Sequence, residues 1–116
     1  MTRVLANGRF RHRRRGQTLT TADLGSALGS RATLVQFSSA FCSPCRATRT
    51  LLRDVCSRLD DVAYIDIDAE SHLELVRGLG VVRTPTVVVL DWEGRVVRQA
   101  SGVPRREQIH RVLAGI

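Results

Sequence analysis

Residues 32–38 read ATLVQFS, an apolar and partly β-branched run that predicts a strand ending just before Cys42-Ser43-Pro44-Cys45. Beyond it the period changes. From about Ser43 to Leu59, Ala47, Leu51, Leu52, Val55 and Leu59 recur at helical spacing, with Arg46, Arg49, Arg53 and Arg58 between them. A long helix with one apolar face follows. Residues 62–68 (VAYIDID) alternate as a strand does, Glu70 to Arg77 predicts a helix, and Gly78 and Gly80 supply its stop. Two parallel strands joined by a helix result. Thr86–Leu90 and Arg95–Ala100 flank Asp91-Trp92-Glu93-Gly94, a connection that predicts an antiparallel hairpin, with Trp92 as a local packing residue outside any site. Pro104 then opens a last helix, because proline is tolerated in a first helical turn. Ahead of all this, Thr20-Thr21-Ala22-Asp23 has the form of a helix cap, and a short helix to about Leu28 is expected. The chain therefore reads as α/β, ordered β-α-β-α-β-β-α after that short helix, with no internal repeat.

Length adds that one domain is enough for 116 residues, and an apolar content of 43% suits a packed core. No run approaches the roughly 18 apolar residues of a membrane span, and no apolar signal segment opens the chain, which predicts a soluble protein. Charge changes the picture only at one end. The net charge is +7, yet six of the 18 basic residues fall in residues 1–16, which hold no acid. The rest is nearly neutral. The division is accordingly a basic flexible extension at 1–16 and a folded domain at 17–116. Every basic residue is arginine, as codon bias in a GC-rich, bacterial genome would produce.

The chain has three cysteines, one pair spaced C-x-x-C and Cys56 alone, which is not the dense framework of a secreted disulfide scaffold. A thiol attacks a disulfide only as thiolate, so a working pair needs one accessible sulfur with a stabilised negative charge and a second within reach of it. Cys42 falls at the start of the long helix, where free amides and the helix dipole favour an anion and Arg46 adds to them. Cys45 returns to the same side one turn later. Pro44 stiffens that turn. Half a zinc site is the competing reading, but there is no second C-x-x-C, and His12, His72 and His110 do not complete a ligand set. No metal and no bound cofactor are expected. Cys56 lies 11 residues beyond Cys45, roughly 16 Å along a helix axis, and reads as a small core residue.

At these residues the chain resembles the thioredoxin family, over nearly all of 18–116. LVQFSSAFCSPC (34–45) is similar to that family's strand and C-x-P-C site, and GVVRTPTVVVL (80–90) to the segment carrying its cis-proline. The resemblance implies a central mixed β-sheet flanked by helices. It makes Cys42 the nucleophile and Cys45 the resolving thiol, and it maps the cis-proline on Pro85. It gives Thr84 the backbone contacts to a substrate strand, faced by Ser43 and Pro44 across the groove, and makes Gly102 the small residue that keeps the groove open. Three positions depart from the family. Phe41 replaces the usual Trp and keeps an apolar rim without the indole N–H. Gln36 stands where a buried Asp helps deprotonate the resolving cysteine, and an amide cannot act as a base. Tyr64 replaces the Lys often paired with that Asp. Slower resolution or a narrower substrate range is the expectation.

The function these residues imply is a protein-disulfide oxidoreductase that reduces partner disulfides and is itself recycled by an upstream reductase or oxidase. The potential stays open, because related pairs span roughly −270 to −120 mV. The alternative is a thioredoxin-fold binding module, or a relay dedicated to one partner, that captures a strand in the groove. Arg9–Arg15 (RFRHRRR) could contact phosphate backbone, but a solvated or juxtamembrane role is favoured and no specific nucleic acid is expected. The expected protein is a cytoplasmic monomer, placed at the membrane inner face if an anchor precedes the basic segment.

Overall fold

The computed structural model describes the backbone of residues 11 and 12 and the whole of residues 17–116. Its strands are β1 (Arg11–His12), β2 (Ala32–Ser38), β3 (Val62–Asp68), β4 (Thr86–Asp91) and β5 (Val96–Ser101), in the sheet order β1-β5-β4-β2-β3. The helices are α1 (Thr21–Leu24), α2 (Ser43–Ser57), α3 (Leu73–Leu79) and α4 (Arg106–Ala114). β2 and β3 are parallel, as expected from the helix α2 that joins them, and the β4–β5 hairpin is antiparallel. β4 lies antiparallel to β2, so the four long strands form the mixed sheet.

Both faces of the sheet are covered, which is why β2 and β4 read as continuous apolar runs and not as alternating ones. Val35, Phe37, Ile65, Ile67, Val88 and Leu90 face one side, with Leu24 of α1 and Leu79 of α3 packed on them. On the other side Leu34, Val87 and Val89 meet Leu52 and Val55 of α2 and Ile109 and Leu113 of α4. Gln36 shares that second face, directly under α2.

The helix ends differ from expectation for local reasons. α1 stops at Leu24, well short of Leu28, because Gly25 turns left-handed (φ 72°) and bonds back to Thr21. Glu70 lies in a separate 3₁₀ turn (Ala69–Ser71) capped by Asp68, and α3 begins only at Leu73. Gly78 sits inside α3, so Gly80 alone, at φ 69°, ends it. Pro104 precedes α4 and does not open it, because the Gln108 side chain accepts from the Arg105 N–H and sets the cap there. Ala47 on α2 is exposed, although the helical spacing counted it with the apolar face. Trp92 is 64% exposed, so it packs less than the hairpin reading implied. Arg11 and His12, within the segment read as a flexible extension, pair with Gln99 and Arg98 of β5. The unpaired edge of β5 offers them main-chain partners. The other residues of 1–16, with the Arg13–Arg15 run, lie outside the described residues.

Candidate active site

The C-x-x-C pair stands where β2 delivers the chain to the first turn of α2. Cys42 is the N-cap residue in extended conformation, and its Sγ accepts the Cys45 N–H at 3.2 Å. Ser43 and Pro44 fill the first helical positions and are exposed, and proline costs no hydrogen bond there. Cys42 and Cys45 are joined as a disulfide with their Cα atoms 5.2 Å apart. The two sulfurs are unequally sheltered. Cys42 is partly exposed, whereas Cys45 is only 1% exposed. Arg46 does not reach the dithiol through a hydrogen bond but donates to the Ser43 hydroxyl at 3.0 Å.

Phe41 precedes the pair fully exposed and at φ 58°, a left-handed conformation that costs an L-residue about 1 kcal/mol. Across from it, the Thr84–Pro85 peptide is cis. Thr84 turns its hydroxyl toward the Cys42 Sγ at 4.0 Å and shares a 2.7 Å hydrogen bond with the Ser39 hydroxyl. Gly102, at φ 82°, donates its N–H to the Pro85 carbonyl at 2.8 Å and so ties the end of β5 to the proline loop. The structure thus gathers Phe41, Cys42, Thr84 and the Pro85–Gly102 contact at one end of the sheet. Ser39 was not singled out in the sequence. Neither were Val82 and Val103, exposed apolar neighbours of the proline loop and of Gly102. Their one sequence signal is an apolar residue beside a loop already assigned to the site.

Gln36 lies on the covered side. It is 0% exposed, donates to the Cys45 carbonyl at 2.9 Å and to Ser38 Oγ at 3.0 Å, and accepts the Tyr64 hydroxyl at 2.8 Å. Burial first, and the Asp66 carboxylate second, push the Tyr64 phenol up to about 12. The Arg49 guanidinium, paired with Asp66 at 2.7 Å, is held above its ordinary value by that hydrogen bond. Cys56 is a free thiol, pushed up to about 11 by burial beside the α2–α4 core.

A separate concavity of about 660 Å³ lies between the β4–β5 hairpin and α4, lined by Trp92, Arg98 and Arg111 among others. It sits at the end of β4 remote from Pro85. Among the described residues no group of three His, Cys, Asp or Glu is arranged to hold a metal ion, and no helix is long and apolar enough to cross a membrane.

The thioredoxin family model matches residues 17–115. Thioredoxin of Alicyclobacillus acidocaldarius subsp. acidocaldarius is 30% identical over 101 residues, covering 85% of this chain and 95% of the relative. Thioredoxin of Mycolicibacterium smegmatis is 28% identical over 100 residues, covering 84% and 86%. Among solved structures, Fasciola hepatica thioredoxin superposes with a TM-score of 0.65 at 21% identity, covering 75% of this chain and 82% of that one, a likeness of fold.

Proposed function

The chain belongs to the thioredoxin family, and from that premise we propose that it reduces protein disulfides with Cys42 as the attacking sulfur and Cys45 as the resolving one. Membership makes it a thiol-disulfide oxidoreductase acting on protein disulfides, with a reductase partner to recycle it. The assignment of the two sulfurs rests on their unequal shelter. Cys42 is reachable from solvent and caps a 15-residue helix, and the Cys45 N–H points at its sulfur. Those are the conditions that stabilise a thiolate.

In the forward direction the Cys42 thiolate attacks one sulfur of a partner disulfide, and the other partner sulfur leaves with the electron pair. Cys45 then attacks Cys42, closes the Cys42–Cys45 disulfide and releases the second partner sulfur as a thiol. Thr84 and Pro85 present backbone to the partner's strand, Gly102 leaves room beside it, and Phe41, Ser43 and Pro44 border it. No bound cofactor enters this cycle. The protein works as a monomer in the cytoplasm, with the Arg-rich segment solvated or beside the inner membrane face.

The test is trapping. Cys45→Ser is expected to accumulate covalent mixed disulfides with partner proteins that dissolve on adding dithiothreitol, while Cys42→Ser traps none and loses turnover of an insulin substrate by about a thousandfold or more. A module that only captures strands would trap nothing with either variant, and that result would overturn the proposal.

A further inference from the structure

Among the described residues, the side-chain groups that hydrogen-bond the Cys45 carbonyl or its partner are Gln36, Ser38 and Tyr64, none of which is a base at neutral pH. Both amide hydrogens of Gln36 are used, one on the Cys45 carbonyl and one on Ser38, and its oxygen is occupied by the Tyr64 hydroxyl. Gln36 Nε2 is thus a donor with no acceptor capacity. The charged and titratable groups around it are Tyr64 and Asp66 on β3 and Arg49 and Arg53 on α2, while β4 places Val87 opposite Gln36. Asp66 is the carboxylate of this cluster, and it stands beyond Ser38. One of its oxygens accepts the Ser38 hydroxyl at 2.7 Å and the other accepts Arg49 Nε at 2.7 Å. Burial holds the Tyr64 phenol above its ordinary value, so it enters the cluster as a hydroxyl donor to Gln36.

Resting on the dithiol cycle above, we propose that Gln36 and Tyr64 are positioning residues for the resolving sulfur: they hold the Cys45 carbonyl in place and take no part in moving the Cys45 proton, which passes to solvent on the Cys42 side of the pair. The resolving step then balances without a protein base. The Cys45 S–H proton passes to water, the Cys45–Cys42 bond forms, and the Cys42–partner bond breaks with its electron pair on the partner sulfur. That sulfur takes a proton from water. The dithiol is oxidised by two electrons and the partner reduced by two. Because only the thiolate attacks, the rate of this step follows the thiolate fraction of Cys45 set by the solvent, about tenfold per pH unit below its ionisation.

The experiment mixes the reduced full chain, carrying Cys56→Ser to remove the third thiol, with 5,5′-dithiobis(2-nitrobenzoate) in a stopped-flow instrument. A first release of the coloured thiolate reports attack by Cys42, and a second reports resolution by Cys45. Between pH 5.5 and 8.5 the second phase should rise about tenfold per unit with no plateau. Tyr64→Phe, which leaves the Gln36 oxygen without its donor, should slow the second phase about threefold, keep its slope and spare the first phase. Gln36→Asp, where it folds, should add an inflection and speed the second phase about tenfold at pH 6. An inflection below pH 7 in the unsubstituted site would overturn the proposal, since it falls well under the roughly 8.5 of an ordinary thiol, which burial raises further, and so marks a side-chain base. Equal slowing of both phases by Tyr64→Phe would overturn it too. If Cys42→Ser, with Cys45 as its one remaining thiol, released the coloured thiolate as fast as the first phase, Cys42 would not be the attacking sulfur, and the dithiol cycle would fall and this proposal with it.

Discussion

The two halves of the dithiol sit three residues apart in sequence and on opposite sides of the boundary between surface and core. On the attacking side Cys42 is partly exposed, Phe41 projects fully into solvent, and the Thr84 hydroxyl, hydrogen-bonded to Ser39, turns toward the Cys42 sulfur. On the resolving side Cys45 is covered, Thr48 and Gln36 are wholly buried, and Leu52 and Val55 continue the same helix face into the core under β2 and β4. One turn of α2 therefore belongs to two regimes. Substitutions on its inner side should be felt first in folding free energy, and substitutions on its outer side first in partner handling.

The largest expected effect tests the inner regime. Leu52 is 0% exposed and meets the sheet face that carries Leu34, Val87 and Val89. Leu52→Ala should destabilise the fold by about 3 kcal/mol, through lost burial and the cavity left behind. Urea unfolding of the oxidised protein, with a lowered midpoint and an unchanged slope, checks it. A change below about 1 kcal/mol would mean that α2 is not anchored where Cys45 sits, and the contrast between the two sides would collapse.

The outer regime predicts the reverse balance. Phe41→Ala removes a side chain that makes no burial contribution and sits at positive φ, so stability should move by less than about 0.5 kcal/mol. Its exposed ring borders the groove with Val82 and Val103, so loss of that apolar surface should raise KM for a protein disulfide about five-fold and leave kcat within about two-fold. Insulin-reduction kinetics separate the two parameters. A fall in kcat at constant KM would show that Phe41 acts on the sulfur and not on the partner.

The same boundary divides what the sequence could disclose. The strands Ala32–Ser38 and Val62–Asp68 were legible to the residue, since a strand covered on both faces is continuous in apolar residues and a half-covered one alternates. The C-x-x-C pair was legible from its place after a strand and at a helix start. The cis peptide at Pro85 came from family resemblance, because an X-Pro bond carries no local mark of its isomer. Helix ends were less legible, since Gly25, His72 and Gln108 decide them through backbone conformation and a single side-chain bond. The clamp on Cys45 was not legible at all. Gln36 and Tyr64 are 28 residues apart, and only the parallel register, with Leu34 beside Tyr64 and Gln36 beside Asp66, brings them within 2.8 Å. In sequence each looked like the loss of a charged partner. Together they form a complete neutral pair.

The smallest expected effect lies on the outer side and depends on the pair of hydroxyls that face Cys42. Ser39 and Thr84 are 45 residues apart, yet their oxygens stand 2.7 Å from each other, and Thr84 is the one turned toward the sulfur at 4.0 Å. When the dithiol is reduced, a Thr84 hydroxyl held by Ser39 can donate to the Cys42 thiolate, and a hydrogen bond to the charged form favours that form. Ser39→Ala leaves the donor in place but frees its rotation, so only part of the benefit is lost, on the order of 0.5 kcal/mol. Alkylation of reduced Cys42 by iodoacetamide at pH 6 should accordingly slow about two-fold, with urea stability unchanged. Thr84→Val, which deletes the donor, should slow it further. If Ser39→Ala shifted the unfolding midpoint and left the alkylation rate alone, the hydroxyl pair would belong to the packing of the proline loop, and the outer side of the site would be less separate from the core than its exposure implies.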